Sequence, residues 1–386
     1  MWYFISPKVV FGEDALDYLS EVKGKRALVV TDKVVRELAA ERVAEKLREA
    51  GLDIEFYDEV EAEPSTSSVA RGLEVARRLQ PDLIVAVGGG SCIDTAKAIW
   101  ALYENPELSI EDIAPLAELK LREKARLIAV PTTSGTGSEA TWAAVITDPA
   151  EHRKMELAHH ELVPDIAVVD PSLAKTMPPK LTAATGMDVL AHAIEAYVSQ
   201  WANDFTDGLA LKAIELVFRY LPRAYRSPDD MEAREKMHNA ATIAGLAFSN
   251  SMIGVAHALA HSIGGLFKIP HGEAVGMCLP YTIEYDLPEA EDRLEQIAHH
   301  LRLSYTSRRE AGLKLADEAR RLLSEMGLPA TLAERGVAES ELEENMDKLV
   351  KLAMSSGGTT INPRIPSEED YRKLFRYIYE GRRVDF

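Results

Sequence analysis

Short apolar runs alternate with helical stretches through the first half of this chain, and the alternation stops at a Pro178-Pro179 pair. That switch constrains the fold more than any other feature. RALVVTD (26–32), IEFYDEV (54–60), DLIVAVGGG (82–90), RLIAVPTT (126–133), AAVITD (143–148) and IAVVD (166–170) read as strands. Between them, 34–51 has helical periodicity ending at Gly51, 67–80 is a helix followed by Pro81, and a third helix begins near Ser91. Strands alternating with helices form a parallel sheet covered on both faces. After KTMPPKLT (175–182) almost everything reads as helix. In SPDDMEAREK (227–236), Ser227 reads as N-cap and Pro228 as first helical residue, while 309–327 carries an apolar stripe ending at Gly327. The expectation is an α/β domain over 1–178 and an all-α domain over 179–386.

A chain of 386 residues, 46% of them hydrophobic, is long enough for two cores. The net charge of −18 argues against nucleic acid or an anionic membrane surface as partner. Only Cys92 and Cys278 occur, so no disulfide framework is expected, and a reducing compartment follows. The opening MWYFISPK has no basic stretch followed by an apolar core, and no apolar run approaches the ~20 residues that span a bilayer. A soluble, cytoplasmic protein is expected. The N-terminal WYFISPKVVFG is apolar and strand-like, able to pair with its copy in a homodimer or larger assembly.

The second half holds a metal-ligand pattern. Asp188 and His192, in TGMDVLAHAIEAY, are four apart and share a helix face. His257 and His261 repeat that spacing in VAHALAHSIGGLFKIPHGE, and His271 follows in a short loop before a glycine. A carboxylate with imidazoles holds a catalytic divalent metal and leaves a position for substrate. His192, His257, His261 and His271 sit among small apolar residues, where buried imidazoles need partners. Spacing leaves open which two of His257, His261 and His271 complete the set. His152, His159, His160, His238, His299 and His300 lie in polar surroundings and read as solvated.

Two glycine-rich loops mark the first half. GGGSCIDTAK (88–97) follows a strand and opens a helix, where free N–H groups face an anion. It is neither GxGxxG nor a P-loop. Within it Asp94 can either cap its own helix or contact a ligand. PTTSGTGSEAT (131–141) is the second, with hydroxyls and glycines after a strand end, where open α/β sheets bind ligands. Asp32 ends the first helix-linked strand; its carboxylate suits a ribose 2′-hydroxyl and repels a 2′-phosphate, favouring NAD over NADP, or else it caps the next helix.

With GGGSCID, PTTSGTGSE, TGMDVLAHAIEAY, FSNSMIGVAHALAHSIGG and PHGEAVGMCLP in place, the chain resembles the iron-activated (group III) alcohol dehydrogenases, within them the lactaldehyde reductase or propanediol oxidoreductase type. The resemblance runs from FGEDAL (11–16) to INPR (361–364). It implies a dinucleotide-binding α/β domain, an all-α metal-binding domain of the dehydroquinate synthase-like fold, and a cleft between them. It implies Asp188, His192, His257 and His271 as metal ligands and His261 as a nearby non-ligand serving proton relay or the nicotinamide. It assigns Asp32, Gly89, Gly90, Ser91, Asp94, Thr132, Thr133, Thr136, Val145 and Lys154 to the cofactor, and Phe248 with the residues before Asn362 to the substrate pocket. Glu63-Pro64 stands where relatives carry Asn-Pro, and Ala143 and 355–364 also differ, so substrate preference does not transfer.

The implied reaction is reversible hydride transfer between a small primary alcohol or diol and NAD, with Fe(II), or alternatively Zn(II), as Lewis acid. A dehydroquinate synthase-like lyase is one rival, but it would need basic residues around a phosphorylated substrate, and the metal motifs are flanked by Ala, Gly, Met and Ile. A non-catalytic NAD- and metal-binding protein is the other.

Overall fold

The computed structural model describes residues 3–149 and 153–386; His152 lies outside them. The chain divides into two compact units, one of residues up to Met177 with Arg234–Ser249, the other of Pro178–Ala233 with Asn250–Phe386.

The first unit is built on strands β1 (Lys8–Phe11), β2 (Arg26–Val30), β3 (Asp53–Tyr57), β4 (Leu83–Gly88), β5 (Arg126–Pro131), β6 (Ala143–Asp148), β7 (Arg153–Ala158) and β8 (Ile166–Val169). Six of them form a parallel sheet in the order β1-β8-β5-β4-β2-β3. Its helices are α1 (Lys33–Val35) and α2 (Glu41–Glu49), joined by a π-helical turn at Arg36–Ala40, then α3 (Thr66–Leu79) and α4 (Gly90–Glu104). Successive side chains of a strand point to opposite faces, and here both faces are buried. Leu28, Val30, Ile84 and Ala86 enter one core, whereas Ala27, Val29, Leu83, Val85 and Val87 enter the other. That is why these strands read as unbroken apolar runs.

One expected strand went elsewhere. Ala143–Asp148 pairs antiparallel with β7 in a two-stranded ribbon outside the parallel sheet. Its burial alternates, with Ala144 and Ile146 inside and its other residues partly exposed, which suits a one-sided ribbon. At the other end, β1 pairs parallel with β8 through Lys8↔Ile166 to Phe11↔Val169 and forms a sheet edge.

The second unit consists of helices: α5 (Pro179–Val198), α6 (Asp204–Arg226), the start of α7 (Met231–Ser249), α8 (Val255–Phe267), α9 (His271–His300), α10 (Arg308–Glu325), α11 (Glu339–Met354), α12 (Gly357–Ile361) and α13 (Glu368–Glu380). Helix α9 packs on α5, α8 and α10, and α5 also packs on α6. Leu190, Leu221, Leu259, Ile263, Val275, Met277, Leu315 and Leu323 fill the interior. The expected start of α7 is corrected. Ser227 terminates α6, its N–H bonded to the Arg223 carbonyl at 2.9 Å, and Asp230 caps α7 by accepting from Ala233 N–H at 3.0 Å. Arg223 supplies the reason, because its guanidinium pairs with Asp230 at 2.8 Å and pins that carboxylate at the helix start.

Candidate active site

Donor atoms of Asp188, His192 and His257 lie within 4.8 Å of one another in the helical unit, and His271 approaches Asp188 from a third helix. Helix α5 carries Asp188 and His192 one turn apart, α8 carries His257, and α9 begins at His271. His271 is therefore the first residue of a helix rather than part of a loop. Asp188 Oδ1 lies 4.0 Å from His192 Nε2, 3.5 Å from His257 Nε2 and 3.5 Å from His271 Nε2. Metal–ligand bonds of about 2.0–2.2 Å at tetrahedral angles place ligand atoms about 3.4 Å apart. Asp188, His192 and His257 are buried, whereas the His271 side chain is 36% exposed, so the set is open on that side.

Gly272 permits this convergence. A Cβ at that position would strike the Ala184 carbonyl, so only glycine lets the start of α9 lie against α5 and bring His271 to Asp188. Histidine followed by glycine is thus a packing signal.

Among the described residues, Asp188 Oδ1 and His257 Nε2 are buried without a hydrogen-bond partner. A buried carboxylate oxygen and a ring nitrogen aimed at one point fit a cation. Burial opposes ionisation of Asp188, but His192, His271 and His257 outweigh it and hold the carboxyl well below its usual range. Burial pushes His192 down to about 4, leaving a neutral imidazole suited to metal. Burial also acts on His257, but Glu195 and Asp188 prevail and raise it to about 10. A metal at its Nε2 displaces that proton.

His261 lies one ring further out. It stacks on His271 with centroids 5.2 Å apart and meets His257 edge-on at 6.2 Å.

In the first unit the two glycine-rich loops meet. Side chains of Thr133 and Thr136 lie 3.2 Å and 2.8 Å from where Cβ atoms of Gly89 and Gly90 would sit, so larger residues would push the loops apart. Thr132 is buried at the head of the second loop, and Ser91 donates to the Ala62 carbonyl at 2.7 Å. Asp94 does not cap its own helix, whose N-cap is Gly89. It accepts from Ser138 Oγ at 2.5 Å and from Val145 N–H at 2.9 Å, tying α4 to the second loop and the ribbon. Asp32 does cap its helix, Oδ1 accepting from Val34 and Val35 N–H, both at 2.8 Å; Oδ2 faces Cys92 Sγ at 3.6 Å. Lys154 lies on β7 opposite Thr147.

Two families of sequence patterns cover nearly all of this architecture. The iron-containing alcohol dehydrogenase pattern matches residues 6–171, and the C-terminal pattern of the Fe-containing alcohol dehydrogenase family matches 182–379. The chain belongs to the iron-containing alcohol dehydrogenase family. It is a metal-dependent oxidoreductase acting on CH–OH groups. An NADPH-dependent butanol dehydrogenase from Clostridium saccharobutylicum is 41% identical over 390 residues, covering 100% of both chains. A bifunctional aldehyde-alcohol dehydrogenase from Escherichia coli K12 is 39% identical over 99% of this chain, which spans 46% of that longer protein. A crystal structure of 1,3-propanediol oxidoreductase superimposes with a TM-score of 0.92 at 35% identity, covering 98% of this chain and 100% of that one.

Two buried residues of this alcohol dehydrogenase carry no clear sequence signal of their roles, Lys97 at the glycine-rich loops of the first unit and Glu195 beside the histidines of the second. Lys97 donates to Thr141 and Ala143 carbonyls, each at 2.8 Å, and to Ser138 Oγ at 3.2 Å; burial lowers it to about 8. Glu195 bonds the ring of His257. For Glu195 the one hint is spacing: it lies three residues after His192 and seven after Asp188, on the same helix face. Lys97 had none beyond its place in the glycine motif. His238 read as solvated but is 1% exposed, its Nδ1 at 3.0 Å from Ser134 Oγ, because the α7 residues on this face fold against the second loop. His299 and His300 are exposed, as their polar surroundings suggested.

Proposed function

We propose that the chain interconverts a small primary alcohol or diol and its aldehyde with NAD(H). Asp188, His192, His257 and His271 are the ligands of a divalent metal, Fe(II) before Zn(II). The observation carrying this is the convergence of three imidazole nitrogens on Asp188 Oδ1. A metal held there would supply Lewis acidity toward the alcohol oxygen, and a bound NAD would take up the hydride. Asp188 stays ionised to neutralise charge, and Glu195 keeps His257 aimed. His261, outside the ligand set, passes the proton toward solvent.

In this reading the α/β half, 1–178, binds the nucleotide. Gly89, Gly90 and Ser91 offer backbone and hydroxyl donors at the start of α4, with Thr132, Thr133 and Thr136 beside them and Lys154 on β7 as a further cofactor contact, while Asp94 holds Val145 and the second loop in position. The hollow lined by Asp32, Lys33, Val34, Asp58, Glu59 and Val60 presents three carboxylates. A ribose 2′-hydroxyl is welcome beside them and a 2′-phosphate is repelled, which supports NAD although the butanol dehydrogenase relative is NADPH-dependent. Phe248, partly buried near the end of α7, lines the substrate pocket.

We place the enzyme in the cytoplasm as a homodimer. Both cysteines are free and buried, and no helix among the described residues is long and apolar enough to cross a membrane. The edge strand β1 offers unpaired backbone, with Phe11 68% exposed, for pairing with a second copy. The test is elemental analysis of anaerobically purified protein, then NADH and NADPH absorbance with short alcohols, diols and aldehydes on iron- and zinc-loaded enzyme. No nucleotide turnover with any of them would defeat the proposal. Sedimentation at monomer mass would defeat the dimer.

A further inference from the structure

We propose that Glu195 is a positioning residue of the metal centre: one carboxylate fixes the ring tautomer of His257 and caps the helix that carries it. This rests on the reading of Asp188, His192, His257 and His271 as ligands.

Helix α8 begins after Gly254, which has no side chain to cap it, so the first N–H groups of the helix must find acceptors elsewhere. They find them on distant segments. Val255 N–H donates to Asn362 Oδ1 at 3.1 Å, and Ala256 N–H donates to Glu195 Oε1 at 2.6 Å. His257 N–H reaches the same oxygen at 3.4 Å. The other oxygen, Glu195 Oε2, bonds His257 Nδ1. An ionised carboxylate only accepts, so Nδ1 carries the hydrogen. Nε2 is then the atom left for a metal, and it already points at Asp188 Oδ1, 3.5 Å away. The network continues outward: Asn362 Nδ2 donates to Asp286 Oδ1 at 2.6 Å and to the Arg364 carbonyl at 2.9 Å. Glu195 and Asn362 are 4% and 1% exposed, so water does not substitute for these bonds.

The chemistry gives Glu195→Gln a specific effect. The Gln carbonyl oxygen can still accept from Ala256, which preserves the cap. Its amide then presents N–H to His257 Nδ1 and selects the tautomer with hydrogen on Nε2, which cannot ligate. Zinc is the probe, its affinity measured by competition with a chromophoric chelator on metal-stripped full-length protein. Glu195→Gln is expected to bind zinc about 10–100-fold more weakly than the parent. Its metal-free form is expected to keep the parent's helical circular-dichroism spectrum.

Zinc affinity equal to the parent's overturns the proposal. So does a loss of affinity accompanied by loss of the parent's helical circular-dichroism spectrum, which would show a purely structural role. Asp188→Ala separates the two readings. If it too binds zinc like the parent, the ligand assignment fails and the Glu195 role with it. If it loses zinc while Glu195→Gln does not, only the Glu195 role fails. Should Glu195→Gln not fold, nitrogen-15 histidine spectra of the zinc-loaded parent decide. An Nδ1 proton that disappears in His257→Gln supports the role, and its absence from the parent overturns it.

Discussion

Asp188 remains ionised in an interior where an isolated carboxyl would be neutral, because three imidazoles face it. Asp188→Ala removes the atom on which the ligand set converges. We expect metal and activity to vanish together, read by elemental analysis beside turnover; an active metal-free variant contradicts the mechanism. His261→Ala is expected to keep its metal and lose about 10²-fold or more in kcat, whereas loss of metal would make His261 a ligand. His238 gives a pH effect away from the metal. Burial depresses it to about 4 from the usual 6.5. Between those values the unfolded chain binds the proton and the folded chain does not, so stability is full above about pH 6.5 and falls as pH drops toward 4. His238→Gln keeps an acceptor for Ser134 and should flatten the difference in urea midpoint between pH 7 and pH 5. An unchanged difference would remove His238 from the account. Residue spacing exposed Asp188 and His192 as a pair. It could not rank His257, His261 and His271, because the ranking depends on where α9 starts in space.

At the scale of elements, the parallel strands were legible because burial on both faces leaves no polar alternation to interrupt an apolar run. The ribbon of β6 and β7 was half legible. Ala143–Asp148 showed as a strand, but its partner Arg153–Ala158 carries Arg, Lys and Glu and hid its identity. The start of α7 was misread because Ser-Pro is a common helix opening, whereas here the Arg223–Asp230 pair moves the cap three residues on. Helix α9 depends on Gly272. Gly272→Val puts a branched side chain against the Ala184 carbonyl and should cost about 1–3 kcal/mol. It should also weaken metal retention by moving His271. Denaturant titration and metal content test this, and a variant with parental metal content would separate the glycine from the site.

For the whole molecule, a metal held by the proposed ligands would tie α5, α8 and α9 together, and a ligand that binds only the folded chain stabilises it by mass action. At a hundredfold excess over its dissociation constant the gain is about 2.7 kcal/mol. We therefore expect chelation to lower the Tm by several degrees and metal to restore it. The same treatment should leave Asp188→Ala unmoved; equal shifts in both would place the stabilising metal elsewhere. The sequence by itself determined the α/β-then-helical order, the glycine-rich strand ends and the ligand candidates, because periodicity and spacing are local properties of the chain. Tertiary structure decided which histidines meet Asp188, that Glu195 and Asn362 cap α8 from afar, and that Asp94 and Lys97 lock the two loops. Those contacts join residues up to 107 positions apart, and no local pattern encodes a distance across the fold.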